Sequence, residues 1–318
     1  MELFLQQVMT GLATGSVYGL VALAIVLIYR STDVINFAQG QMAMFTTFFA
    51  WMLLNGSILG FHVHALHFWI AFALTLVVAA IMGALIERIV IRPVEGRPVL
   101  TIVIVTLGLF AIFENLAGWS WGGIPKGFPP PPEIHVSGIT FFGDGALDIG
   151  PTVISYHDLT IMVVAVGIMV ALYAFFQYTP VGLGMRATAH NPMAARLMGI
   201  RVGNMLTLGW ALSALVGAVG GVLIAPLVLL QPPMMLGVLL YAFAAAVLGG
   251  MDSAPGAVVG GLTLGVVENL VGTYTTQEYI GVDWFGPEMK LTAALLIIVL
   301  VLVVRPTGLF GRRTLRRV

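Results

Sequence analysis

The chain is 318 residues long, 59% hydrophobic and only 9% charged, with no cysteine and with 14 basic residues matched by 14 acidic ones. A soluble domain carries about 25% charged residues, so an ordinary water-soluble fold is excluded. Zero net charge argues against a nucleic-acid partner, which needs a basic surplus to neutralise phosphates, and the missing thiols remove disulfides, thiolate metal sites and iron–sulfur clusters. What remains is a polytopic membrane protein.

A helix crossing the hydrocarbon core needs about 20 apolar residues. Candidate spans in chain order are 5–29, 34–54, 67–91, 98–120, 159–179 and 205–230. A shorter apolar piece at 236–250 follows, then segments at 256–274 and 289–304. The first segment reads as a span and not a cleaved leader, because it begins Met1-Glu2 with no basic region. The 236–250 piece is short for a crossing, which suggests a broken or re-entrant element. The expected fold is an all-α polytopic membrane protein with about eight transmembrane helices plus that one short segment. It forms one membrane domain over residues 1–318.

Charge placement orients these spans. Arg30 follows the first span, and Arg88, Arg92 and Arg97 surround the end of the third. Arg186, Arg196 and Arg201 follow the fifth, and Arg305, Arg312, Arg313, Arg316 and Arg317 follow the last. The positive-inside rule places these residues in the cytoplasm, so the N-terminus lies outside and the C-terminus inside. Only Lys126 and Lys290 are basic residues left outside. The one long external loop, 121–157, opens with the stiff run Pro129–Pro132, and its apolar pieces at Val136, Ile139 to Phe142 and Val153 to Ile154 read as short strands. The second sizeable loop, 180–203, is cytoplasmic.

Small residues recur every four positions: Gly11, Gly15 and Gly19 on the first span, Gly209, Ser213, Gly217 and Gly221 on the sixth, and Gly256 and Gly260 on the eighth. In lipid such stripes let helix backbones approach closely. Polar groups inside the membrane are costly and mark candidate functional positions. Three places carry them: Asn36, Gln39 and Gln41 at the start of the second span, Glu114-Asn115 on the fourth, and Glu268-Asn269 on the eighth. Either they bridge and pair helices, or they line a translocation path. No P-loop, H-E-x-x-H or G-x-S-x-G motif is present, so no ATPase or hydrolase site is expected. His62, His64 and His67 lack a fixing carboxylate and read as interfacial side chains, not metal ligands. The chain is expected to bind no cofactor itself.

In the cytoplasmic loop, Asn191 is placed to cap a short helix starting at Pro192 and ending before Gly199. Read from the residues, that helix either lies on the membrane surface or docks a soluble partner.

Ala194-Ala195-x-x-x-Gly199 resembles the core of the "EAA" loop of ABC importer permeases, with Met193 where that motif has Glu. Asn36-Phe37-Ala38-Gln39-Gly40 resembles the Asn-Phe-Ala-His-Gly signature of LivH-type permeases, with Gln39 in place of His. Thr10–Tyr18 is similar to that family's opening helix, Ala242–Gly250 to its late Gly-Gly segment and Arg305–Gly311 to its C-terminal end. Together these matches run in order over roughly 10–311 and resemble the branched-chain amino acid ABC permease family.

The resemblance implies a permease subunit of the bacterial inner membrane that works beside a second related permease, or a second copy of itself. It further implies two ATP-binding subunits that hydrolyse ATP, an extracytoplasmic substrate-binding protein and, as substrate, branched-chain or related amino acids. Arg186, Pro192, Ala194, Ala195, Arg196 and Gly199 would then form the coupling helix to the ATPase, and Asn36, Gln39, Gln41, Glu114, Asn115, Glu268 and Asn269 the candidate path. The alternative is a self-powered carrier or channel for a small polar solute, moving protons through Glu114 or Glu268.

Overall fold

The computed structural model describes residues 2–32, 34–58, 61–62, 64–136, 139–141, 145–149, 152–274, 289–305 and 308–311. Asp33, Phe142, Pro306, Thr307 and the arginines beyond 311 lie outside the described residues. The helices are α1 (Glu2–Thr32), α2 (Gln39–Leu54), α3 (Phe68–Ile86), α4 (Val99–Trp121), α5 (Tyr156–Tyr178) and α6 (Pro180–His190). They continue with α7 (Pro192–Leu197), α8 (Val202–Val228), α9 (Met234–Gly249), α10 (Ala254–Tyr274) and α11 (Met289–Val304). A π-helical turn, Glu87–Ile91, extends α3.

Among the described residues, six helices are long and apolar enough to cross a membrane: Glu2–Thr32, Phe68–Val94, Val99–Trp121, Tyr156–Tyr178, Val202–Val228 and Ala254–Tyr274. The chain is a multi-pass membrane protein. Three details depart from the sequence reading. The 236–250 piece is not broken: Met234–Gly249 is one continuous helix of 16 residues, because Gly249 and Gly250 fall at its end and not within it. The second helix begins only at Gln39, so Asn36 precedes it. The 180–203 loop holds a further helix, α6, whose N-cap Thr179 accepts a hydrogen bond from the Gly182 N–H, with Pro180 in the first turn.

The chain divides into two compact units, one of Met1–Val26, Pro130–Val166 and Leu239–Val318, the other of Leu27–Pro129 and Gly167–Val238. In the first unit, α1 and α10 meet backbone to backbone. A methyl group on Gly15 would sit 2.7 Å from the Gly261 carbonyl oxygen, and one on Gly11 2.7 Å from Val266 Cα. Gly256 and Gly260 bring α10 closer still to Gly249 and Ala245 of α9. Without a hydrophobic driving force in lipid, this close van der Waals approach is what holds helices together. The same unit carries two hairpins, Ile134–Val136 with Ile139–Phe141 and Ala146–Ile149 with Thr152–Ser155.

In the second unit, α2, α3, α4 and α8 pack around a core that includes Ile28, Met42, Ile86, Ile102, Phe113 and Trp210. Gly83 lets α3 approach the backbone of Trp210 on α8, and Gly221 lets α8 lie against Ala43 and Thr47 of α2. Lys126 and Leu230 exchange two backbone hydrogen bonds, and the Lys126 ammonium lies 5.0 Å above the Trp51 ring, which fastens the start of the 121–157 loop.

Candidate functional site

The polar patch expected at the start of α2 is a closed hydrogen-bond network. Gln39 Nε2 donates to the Ser213 carbonyl at 3.1 Å, and Ser213 Oγ donates back to Gln39 Oε1 at 3.1 Å. Asn36 Nδ2 donates to the same Gln39 oxygen at 3.3 Å, and Asn36 Oδ1 accepts from the Ala38 N–H. Gln39 fits there because Gly217 leaves room for its amide. The two residues tie α2 to α8, the arrangement that a buried amide in lipid requires.

Gln41 differs. It is 1% exposed, and neither its amide nitrogen nor its amide oxygen has a hydrogen-bond partner among the described residues. A buried amide without partners costs roughly 1–3 kcal/mol. Sequence spacing gave no means of separating Gln41 from its satisfied neighbour two positions earlier.

Glu114 and Asn115 are half-buried and exposed, and Asn115 returns its amide to the Ala111 carbonyl of its own helix at 2.8 Å. Glu268 and Asn269 lie in the other unit. Tyr18 donates its hydroxyl proton to Glu268 Oε2 at 2.7 Å, and the Tyr18 ring stacks on Tyr241 with centroids 4.9 Å apart. The Lys290 side chain lies against Gly272, one turn along α10 from Glu268. Asn269 Nδ2 donates to the Gln7 carbonyl. The structure therefore gives Glu268 a tyrosine partner that sequence reading missed. The available signal was a hydroxyl-bearing aromatic within a span, since a carboxylate there needs a donor.

The short helix α7 is formed by local chemistry at both ends. Asn191 Oδ1 accepts from the Ala194 N–H at 3.0 Å, and Pro192 occupies the first turn, where its missing N–H costs nothing. At the other end Gly199 adopts φ +82°, with its N–H donating to the Arg196 carbonyl and the Ile200 N–H to the Ala195 carbonyl. These two bonds make a Schellman cap, and Ile200 packs with Ala195, Val202 and Leu206 beneath it. Ala195 is buried, while Met193, Leu197 and Met198 are 65%, 83% and 81% exposed. Arg196 is exposed, and Arg186 donates to Gln177 Oε1 at 3.1 Å.

A charged anchor stands behind this region, in the same unit. Glu87 is 2% exposed, takes two hydrogen bonds from Arg92 at 3.1 and 3.0 Å, and accepts a third from Thr207 at 2.6 Å. Arg92 also donates to the Gly203 carbonyl, so the π-helical turn is bound to the start of α8. The sequence marked Arg92 only as a cytoplasmic charge.

Comparison with known proteins gives these elements a family. A model described as "Branched-chain amino acid transport system / permease component" matches residues 7–304. The high-affinity branched-chain amino acid transport system permease protein BraD of Pseudomonas aeruginosa is 32% identical over 317 residues, covering 99% of this chain and 98% of that one. The corresponding LivH of Escherichia coli is 30% identical over 320 residues, with 99% and 98% covered. The ribose import permease protein RbsC of Escherichia coli is 26% identical over 245 residues, covering 70% and 66%. This chain belongs to the permease-component family of branched-chain amino acid transport systems.

Proposed function

We propose that this chain is the membrane-spanning permease subunit of an ATP-driven importer for branched-chain amino acids in a bacterial inner membrane. Its N-terminus faces outward and its C-terminus the cytoplasm. The observation that carries the reading is the family match from residue 7 to 304, with relatives at 30% identity or more that align over almost their whole length. In this reading the chain hydrolyses no ATP. Two ATP-binding subunits supply that step, a second permease or a second copy completes the path, and an extracytoplasmic protein delivers the amino acid.

The α7 helix supports the docking role. It is short, rigidly capped at both ends and presents Met193, Leu197 and Met198 as a cluster of exposed apolar side chains. Such a cluster on a polar face fits a groove on a soluble partner. A push on α7 would reach α8 through the Ala195–Val202–Leu206 contact and shift the helices of its unit together. Gln41, with its unspent hydrogen-bonding capacity, and Glu268 are the path residues we favour. Gln39 and Asn36 are the scaffold.

The test is to co-express the chain with its ATP-binding subunits and a second permease and to purify by a tag on the ATPase. Leu197→Asp should abolish co-purification while membrane insertion and yield are kept. Undiminished co-purification overturns the docking role. Proteoliposomes holding this chain alone that take up leucine on a proton gradient without ATP overturn the importer reading.

A further inference from the structure

A cavity of about 280 Å³ opens in the second unit, where the α1–α2 connection, the segment joining α3 to α4 and Pro192 of α7 converge. Its volume lies just below the roughly 300–1,000 Å³ of sites for drug-sized ligands, which suits a small solute. None of the residues placed on the candidate path lines it except Asn36.

The lining is divided by chemistry. Ile91 and Ile102 give it an apolar wall, and Ser31, Asn36 and Thr106 add hydroxyl and amide groups. Trp210 also lines it; this residue is 1% exposed and its indole N–H has no acceptor among the described residues. A buried donor in that condition is stabilised by any ligand that offers an oxygen. At the rim stand two exposed opposite charges, Glu95 and Arg97, separated by Gly96 in a turn with φ +79°. Neither takes part in an ion pair among the described residues.

One acid, one base, an unspent N–H donor and an apolar wall match a specific class of molecule. An anionic lipid headgroup would gain from Arg97 and be repelled by Glu95. A zwitterion gains from both.

We propose that this cavity binds a small zwitterion with an apolar side chain, a free amino acid, with Arg97 taking its carboxylate and Glu95 its ammonium. Because Pro192 forms part of the wall, the docking helix senses occupancy. In the orientation proposed above the site opens on the cytoplasmic side, so it samples the amino acid that has already entered, and its filling restrains α7 and slows the ATPase. The binding limb rests on the cavity alone; the sensing limb rests also on the docking role proposed above.

The experiment places the full chain, without partners, in lipid nanodiscs and measures equilibrium binding of radiolabelled L-leucine. Saturable binding is expected, weakened about tenfold or more by Arg97→Gln and by Glu95→Gln, as loss of one charge-assisted contact implies. The thermal midpoint should stay unchanged, since both residues are exposed. Isoamylamine and 4-methyl-2-oxopentanoate, each lacking one of the two charges, should compete weakly. Absence of saturable binding, or binding that neither substitution weakens, overturns the site. In the assembled importer, leucine added on the ATP side should lower ATP hydrolysis in the wild type and not in Arg97→Gln. Hydrolysis that leucine leaves unmoved overturns the sensing role. A failure of the ATP-binding subunits to associate would count against the importer reading and leave the nanodisc result standing.

Discussion

Tyr18 donates its phenolic proton to Glu268 across 250 residues of sequence, joining the middle of α1 to α10 inside a membrane span. Intramembrane hydrogen bonds average about 0.6 kcal/mol and reach about 1.7 at most. A double-mutant cycle with Tyr18→Phe and Glu268→Gln, read by thermal unfolding in detergent, should return a coupling near the upper end of that range. A coupling of zero would mean that the hydroxyl and the carboxylate do not act together.

The anchor at Glu87 predicts an asymmetry. Arg92→Ala leaves a carboxylate that is 2% exposed without its cation, whereas Glu87→Ala leaves a guanidinium side chain that is already 32% exposed. Breaking a buried pair costs about 3–5 kcal/mol when the stranded charge cannot reach water. Arg92→Ala should therefore lower the unfolding midpoint more than Glu87→Ala. The reverse order would show that the arginine, and not the carboxylate, is the buried partner in the membrane.

Gln41 predicts opposite effects on stability and transport. Replacing it by Met removes a buried amide whose two polar atoms lack partners, so the unfolding midpoint should rise, by the equivalent of roughly 1–3 kcal/mol. Uptake by the assembled importer should fall if the amide meets the solute. A variant that is stabilised and transports normally removes Gln41 from the path.

The cap of α7 depends on Gly199, whose φ of +82° is costly for a β-branched residue. Gly199→Val should reduce co-purification with the ATP-binding subunits several-fold, while Gly199→Asn, which tolerates that conformation, should retain most of it. Equal behaviour of the two variants would place the docking energy outside the capped helix.

Local chemistry made some of this legible in the sequence. The four-residue period of Gly11, Gly15 and Gly19 announced a close helix contact, and Asn191-Pro192 followed by Gly199 announced a short capped helix. Thr179-Pro180 carries the same start signal as Asn191-Pro192, and α6 begins there, inside the segment that the sequence reading treats as loop. Tyr18, Thr207 and Ser213, the partners of Glu268, Glu87 and Gln39 on other helices, were illegible for a different reason. Each lies more than 100 residues away, on a helix whose rotation only packing decides. Gln39 and Gln41 also looked alike in the sequence, and only their surroundings show that one is satisfied and the other is not.

The glycine seam between α1 and α10 bears on how the protein is made. Ribosomes deliver α1 first and α10 nearly last, so the face of Gly11, Gly15 and Gly19 waits in lipid while most of the chain is inserted. Ile28, farther along α1, packs with Met42, Ile86 and Trp210, but the glycine face finds its mate only with Gly261 and Gly265. The seam thus closes as a late step of biogenesis, and a chain cut short before α10 leaves the glycine face of its first helix unmated.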